Sequence, residues 1–172
     1  PPMHDGLEGP NVLPIVGACN RITQERMERA VSEYKSANLE DLPSPRFAVL
    51  IGGKSKRQDI SAARARAISD SLAAVQRETG GALMATLSRR TSHAARLQFR
   101  TWLAPHCAVF YEDEGANPYP AMLGVADHIF VTADSVNMAT EASATGKPVH
   151  ILAVDGQLGK LARFHQSLAR RG

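Results

Sequence analysis

From Arg46 onward the chain alternates short apolar runs with longer stretches of helical period. The runs "RFAVLIGG" (46–53), "ALMATLS" (82–88), "CAVFYE" (107–112), "HIFVTA" (128–133) and "VHILAV" (149–154) have strand length. Between the first two, "DISAARARAISDSLAAVQRETGG" predicts a helix with Ile60, Ala67, Ile68, Leu72 and Val75 turned inward, stopped by Gly80 and Gly81. "SHAARLQFRTWLA" predicts a helix carrying Leu97 and Trp102, and "NPYPAMLGVA" a short helix or turn. "SVNMATEASATG" and "LGKLARFHQSLARR" predict two more helices. The strand runs are continuously apolar rather than alternating, the pattern of strands covered on both faces. The fold class is therefore α/β: a Rossmann-like, doubly wound, mainly parallel sheet.

The first 45 residues read differently. Residues 1–20, "PPMHDGLEGPNVLPIVGACN", are rich in Pro and Gly and suggest a loop or linker with one extended piece, Asn11–Ile15. Thr23 is a plausible N-cap, with Glu25 in the first turn. Met27, Ala30, Val31 and Tyr34 then fall on one helical face. "NLEDLPSPR" ends that helix with two prolines. The expected division is an interdomain linker and lead-in helix over 1–45 and a Rossmann-like domain over 46–172. The opening "PPMHDG", without an initiator Met, leads us to expect a piece of a longer protein.

Composition narrows the classes. The 172 residues, 44 % hydrophobic, suffice for one domain with a core. No apolar run approaches the roughly 18 residues of a membrane span. Cys19 and Cys107 stand far apart without a CxxC, and the six His show no HExxH spacing, so no metal is expected. Charge is uneven: residues 1–45 hold four Lys/Arg against seven Asp/Glu, residues 46–111 eleven against three, and residues 112–172 five against seven. A basic middle suits a phosphate, or is simply a solvated face, as for Arg64, Arg66 and Arg77. No aromatic platform accompanies the charge, so a nucleic-acid partner is not expected.

In a parallel doubly wound sheet, ligands meet the loops that follow the strands' carboxyl ends. "GGKSK", Gly52–Lys56, looks like the tail of a Walker A loop, but the Gly the full motif needs five residues before Gly53 is Ala48. Gly52, Gly53, Lys54 and Ser55 can still bring backbone N–H groups to a phosphate, or form a plain tight turn. "SRRT" places Arg89 and Arg90 at a strand end, where one of them could clamp a diphosphate or both could be solvated. "NPY" offers Asn117 and Tyr119, with Asn117 equally fit to cap the turn. In "TADSVNMATEA", Asp134 or Ser135 is the N-cap, and the N–H groups of Ser135–Asn137 offer an anion site. Asn137 and Glu141 share a helical face, which places a carboxylate for the two hydroxyls of a ribose; an ordinary capped helix is the alternative. There is no GxGxxG, no Tyr-x-x-x-Lys and no Gly-x-Ser-x-Gly. Short-chain dehydrogenases and α/β-hydrolases are thus disfavoured.

The segment "GANPYPAMLGVADHIFVTADSVNMATEASATGKPVHIL" resembles the donor-binding half of GT-B glycosyltransferases such as MurG. "HDGLEGPNVLPIVGACNRI", "VLIGGKSK", "LSRRTS", "NPY" and "TADSVNMATEA" resemble more closely a family of proposed glycosyltransferases related to the plant mitochondrial-fission factor of elongated-mitochondria mutants. Bacterial members of that family have been called predicted nucleoside-diphosphate-sugar epimerases. The resemblance covers nearly the whole chain, and "TADSVNM…EA…GKPV" is its most specific part.

What the resemblance implies is the C-terminal half of a two-domain GT-B protein, with 46–172 binding the nucleotide sugar. A separate N-terminal domain would supply the acceptor side, and further helices would follow Gly172. Glu141 would hold the ribose hydroxyls. Ser135, Val136 and Asn137 would face the diphosphate, flanked by Gly52–Ser55, and Arg89 or Arg90 would neutralise the leaving group without a metal. No cofactor is required beyond the donor substrate, UDP-sugar or similar. The catalytic base is unidentified, His4 and Asp5 being the candidates at the domain edge. The expected setting is the cytoplasm, with a peripheral inner-membrane position or a lipid-linked acceptor left open. Two alternatives stand beside this: an adaptor of the fission-factor type with a vestigial site, and a nucleoside-diphosphate-sugar epimerase, which would need NAD and a Tyr/Lys pair.

Overall fold

The computed structural model describes residues 2–55 and 57–171; Lys56 of the "GGKSK" motif lies outside the described residues. The five expected strands are β1 (Arg46–Ile51), β3 (Ala82–Leu87), β4 (Cys107–Tyr111), β5 (His128–Thr132) and β6 (Val149–Leu152). They form one wholly parallel sheet in the order β4-β3-β1-β5-β6. The helices are α1 (Gln24–Glu33), α2 (Ala62–Thr79), α3 (His93–Trp102), α4 (Tyr119–Val125), α5 (Val136–Ser143) and α6 (Lys160–Ala169).

The apolar runs are double-faced because successive side chains point to opposite sides of a strand. In β1, Phe47, Val49 and Ile51 join Ile68 and Leu72 of α2 and Phe99 of α3 in one core. Ala48 and Leu50 face the other way, into a core with Met122 and Leu123 of α4, Ala139 of α5 and Phe164 of α6. Four helices are capped by a hydroxyl that accepts an N–H bond at the helix start: Thr23 and Ser135, both candidates from the sequence, and Ser61 and Ser92.

Three differences from the pattern have physical causes. Ala67 is exposed and Ala65 and Ala73 are buried instead, because the buried stripe of α2 runs through Ala65, Ile68, Leu72 and Ala73. Asp59, expected at the helix start, and Gln58 before it form β2 and pair antiparallel with β7 (Asp155–Gly156). Asp155 fixes this ribbon to α2 by accepting from the Ser61 N–H at 2.9 Å and pairing with Arg64 at 3.3 Å. Finally, β6 is not buried on both faces: His150 and Ile151 are exposed at the sheet edge, and Val149 and Leu152 are half-buried.

The lead-in helix packs on the domain. Met27 is buried in the α4 core with Val31 and Tyr34 against it, and Gly124 of α4 permits the close approach of Val31. Further upstream, Met3–Asp5 form a single 3-10 turn, tied by the Met3 N–H to the Ile15 carbonyl at 2.7 Å.

Candidate functional site

The loops after β1, β3 and β5 interlock at the carboxyl edge of the sheet. The Gly52 N–H donates to the Thr132 hydroxyl at 2.7 Å, and the Thr91 hydroxyl donates to the Gly52 carbonyl at 2.5 Å. The Gly53 N–H donates to Asp134 Oδ2 at 2.9 Å, and the Lys54 N–H to the Arg90 carbonyl at 3.0 Å. Glycine is needed at both positions for contact rather than for dihedral freedom. A Cβ at Gly52 would enter the Asp134 carboxylate, and one at Gly53 the Arg90 backbone.

Asp134 is the hinge of this network. Its side chain is fully buried, and Arg90 reaches it at 3.5 Å while also donating to the Lys54 carbonyl at 3.3 Å. The opposite oxygen, Oδ1, is buried with no partner among the described residues. The N-cap is Ser135, not Asp134: its Oγ accepts from the Met138 N–H at 3.3 Å. The N–H groups of Val136 and Asn137, the first two helical positions, have no intrahelical partner, and the exposed Asn137 stands beside them.

The remaining candidates spread over a wider area. Arg89 and Lys54 are exposed, and Ser55 is half-buried, accepting from the Gln58 N–H at 3.2 Å. Asn117 caps the start of α4 by accepting from the Tyr119 N–H at 3.0 Å. Glu141 accepts from the Tyr119 hydroxyl at 2.6 Å through Oε2, which links α4 to α5. Burial and the adjoining Glu141 carboxylate push the Tyr119 phenol above its usual range, so it stays protonated and donating. His4 and Asp5 come together on α6: His4 is buried against the Phe164 ring and Asp5 pairs with Lys160. Burial lowers the His4 pKa. Among the described residues no group of three His, Cys, Asp or Glu has the arrangement of a metal site, and no helix is long and apolar enough to cross a membrane.

Sequence reasoning missed a cavity of about 590 Å³ at this edge. Its lining includes Asp134 at the strand edge, Ser55, Arg57 and Gln58 at the β2–β7 ribbon, and Lys160 and Arg163 of α6. The available signal was "DGQLGK", 155–160, whose Gly156 and Gly159 adopt positive φ of 96° and 51° and turn the chain into α6. The cavity is lined by Asp134 rather than by Asn137 or Glu141, so the site has two parts: this cavity, and the open surface at the start of α5.

Parallel strands in the order β4-β3-β1-β5-β6, with helices on both faces and polar loops at the carboxyl edge, define a Rossmann-like α/β domain of the GT-B type. A Listeria monocytogenes crystal structure that carries the assignment UDP-N-acetylglucosamine 2-epimerase shares this fold. It has a TM-score of 0.52 and 14 % identity, over 84 % of this chain and 42 % of that one. The chain belongs to the family described as Mitochondrial fission ELM1, which matches residues 1–172. It is 32 % identical to the Arabidopsis thaliana Mitochondrial fission protein ELM1 over 163 residues, 94 % of this chain and 38 % of that protein. It is 30 % identical to the uncharacterized protein RP120 of Rickettsia prowazekii over 158 residues, 86 % of this chain and 42 % of that protein. The chain thus spans about two fifths of the length of these relatives.

Proposed function

We propose that residues 46–172 form the donor-binding domain of a nucleotide-sugar-dependent glycosyltransferase, with 1–45 as its lead-in linker and helix. The observation that carries this reading is the locked junction of the β1, β3 and β5 loops. It ties Arg90 and the glycine turn to Asp134, two residues before the first free N–H group of α5. Preorganised donors and a guanidinium of this kind stabilise the charge that develops on a departing diphosphate. Glu141 keeps Oε1 available while Oε2 holds Tyr119, leaving a carboxylate oxygen for a ribose hydroxyl. On this reading the acceptor, soluble or lipid-linked at the cytoplasmic face of a membrane, is met by sequence that the relatives have beyond the matched region.

The test is an amide-resolved titration with UDP and a panel of nucleotide sugars. Shifts at Gly53, Val136 and Asn137 are expected, with Glu141→Ala weakening affinity about tenfold or more, the loss of one charge-assisted hydrogen bond. Absence of any shift across the panel would end the donor assignment. A second reading, a protein-interaction module, draws on the Tyr119–Glu141 bond, which occupies part of the carboxylate a ribose would need. It predicts that no nucleotide shifts these amides.

A further inference from the structure

Two residues that line the cavity beneath α6 have unmet hydrogen-bonding needs of opposite sense. Gln58 is 5 % exposed, and its Nε2 has no acceptor among the described residues. Asp134 is 6 % exposed, and its Oδ1 has no donor. Both residues line the cavity. A buried polar atom without a partner is expensive enough that native structures nearly always satisfy it, by protein, water or ligand. Around this floor stand three cations. Arg57 and Arg163 are exposed and carry no ion pair among the described residues, and Lys160 pairs with Asp5.

The combination is selective. A phosphate dianion pressed onto the floor would meet the Asp134 carboxylate and be repelled. A hydroxyl there satisfies both needs, donating to Asp134 Oδ1 while its own or a neighbouring oxygen accepts from Gln58 Nε2. The cations at the mouth then suit a phosphate on the same molecule. We propose that this cavity binds the sugar-phosphate portion of its ligand, with the sugar hydroxyls on Gln58 and Asp134 and the phosphate held by Arg57, Lys160 and Arg163. This rests on the donor-site reading in one respect: the sugar phosphate is taken as the end of the donor remote from the base. It also puts a second wall of the site, α6 with the β2–β7 ribbon, within this chain.

The test compares probes without a base and probes with one. Glucose 1-phosphate, inorganic phosphate, UDP and UDP-glucose are titrated while the Gln58 side-chain amide is observed by NMR. Glucose 1-phosphate is expected to shift that signal and to bind about tenfold more tightly than inorganic phosphate. The substitutions Arg57→Ala and Arg163→Ala, at exposed positions, should each weaken glucose 1-phosphate about fivefold to tenfold, and Gln58→Leu should remove its advantage over phosphate. Binding of UDP and UDP-glucose at equal strength with the Gln58 amide unmoved would overturn the cavity assignment and leave the donor reading standing. Binding of glucose 1-phosphate without any nucleotide would overturn the donor reading and keep the cavity. Silence from all four probes would overturn both.

Discussion

The two walls of the cavity are built to different standards. The first is the locked edge of β1, β3 and β5. Its strands β1 and β3 are buried almost throughout, and Thr91, Thr132, Asp134 and Ser135 are buried polar residues. Bonds between loops some 40 to 80 residues apart in sequence knit it together. The second wall is α6 with the β2–β7 ribbon. Phe164 is the fully buried side chain of α6, joined by a 2.9 Å bond from His165 to the Ala133 carbonyl and by the Asp5–Lys160 pair. Each ribbon strand has two residues. Local stability follows buried contacts and protected hydrogen bonds. One wall should therefore hold its geometry while the other opens more readily.

The largest effect is expected where the second wall is anchored. Phe164→Ala removes a ring that is 2 % exposed and should cost about 3–5 kcal/mol. Amide exchange should show α6 and residues 3–5 losing protection while β1 and β3 keep theirs. Equal loss in β1 and β3 would erase the distinction between the walls. Next comes Gly53→Ala, which forces a methyl into the Arg90 backbone and should cost about 3 kcal/mol through overpacking. Here the urea midpoint should fall, and β1 and β3 should lose protection together with the rest. A cost below about 0.5 kcal/mol would mean the loops are not in close contact.

The sheet was legible because strands covered on both faces leave an unbroken apolar run, and five such runs became five parallel neighbours. Two helix starts were legible for an equally local reason: Thr23 and Ser135 sit where a hydroxyl can accept an orphan N–H, as Ser61 and Ser92 also do. The three polar loops that meet at the sheet edge were also identified from their position after strands. What local pattern does not encode is which atoms pair across 80 residues. The burial of Asp134 under Gly53, the use of Glu141 by Tyr119 and the docking of His4 on Phe164 all depend on tertiary approach. The β2–β7 ribbon escaped notice because two-residue strands have no periodicity to read. With it went Gln58, whose burial is tertiary.

Smaller substitutions sharpen the contrast within one type of interaction. Thr132→Val keeps the shape of a fully buried side chain but leaves the Gly52 N–H without its acceptor. A loss of about 2 kcal/mol in chemical denaturation is expected, since the orphaned donor cannot reach water. Ser55→Ala removes a hydroxyl that accepts from the Gln58 N–H in the half-exposed loop of the cavity, where water can substitute. It should cost about 0.5 kcal/mol. Equal costs for the two would show that the β1–β5 junction is no drier than the ribbon.

The smallest effect is pH-dependent and belongs to the second wall. Burial against Phe164 lowers the His4 pKa, and Lys160, Arg163 and His165 lower it further, outweighing the opposing pull of Asp5. With the native value below the ordinary 6.5, the unfolded chain holds the proton more tightly. The stabilisation from neutral His4 is therefore complete above about pH 6.5 and is lost as pH falls through the lower native value. Exchange of the Met3 amide, which donates to the Ile15 carbonyl, is the local reporter. After correction for intrinsic rates it should lose protection as pH falls below about 6.5, while the Gly52 amide does not. His4→Phe, which cannot charge, should flatten the Met3 response. A pH response that survives this substitution would place the titrating group elsewhere and detach the N-terminal turn from the behaviour of α6.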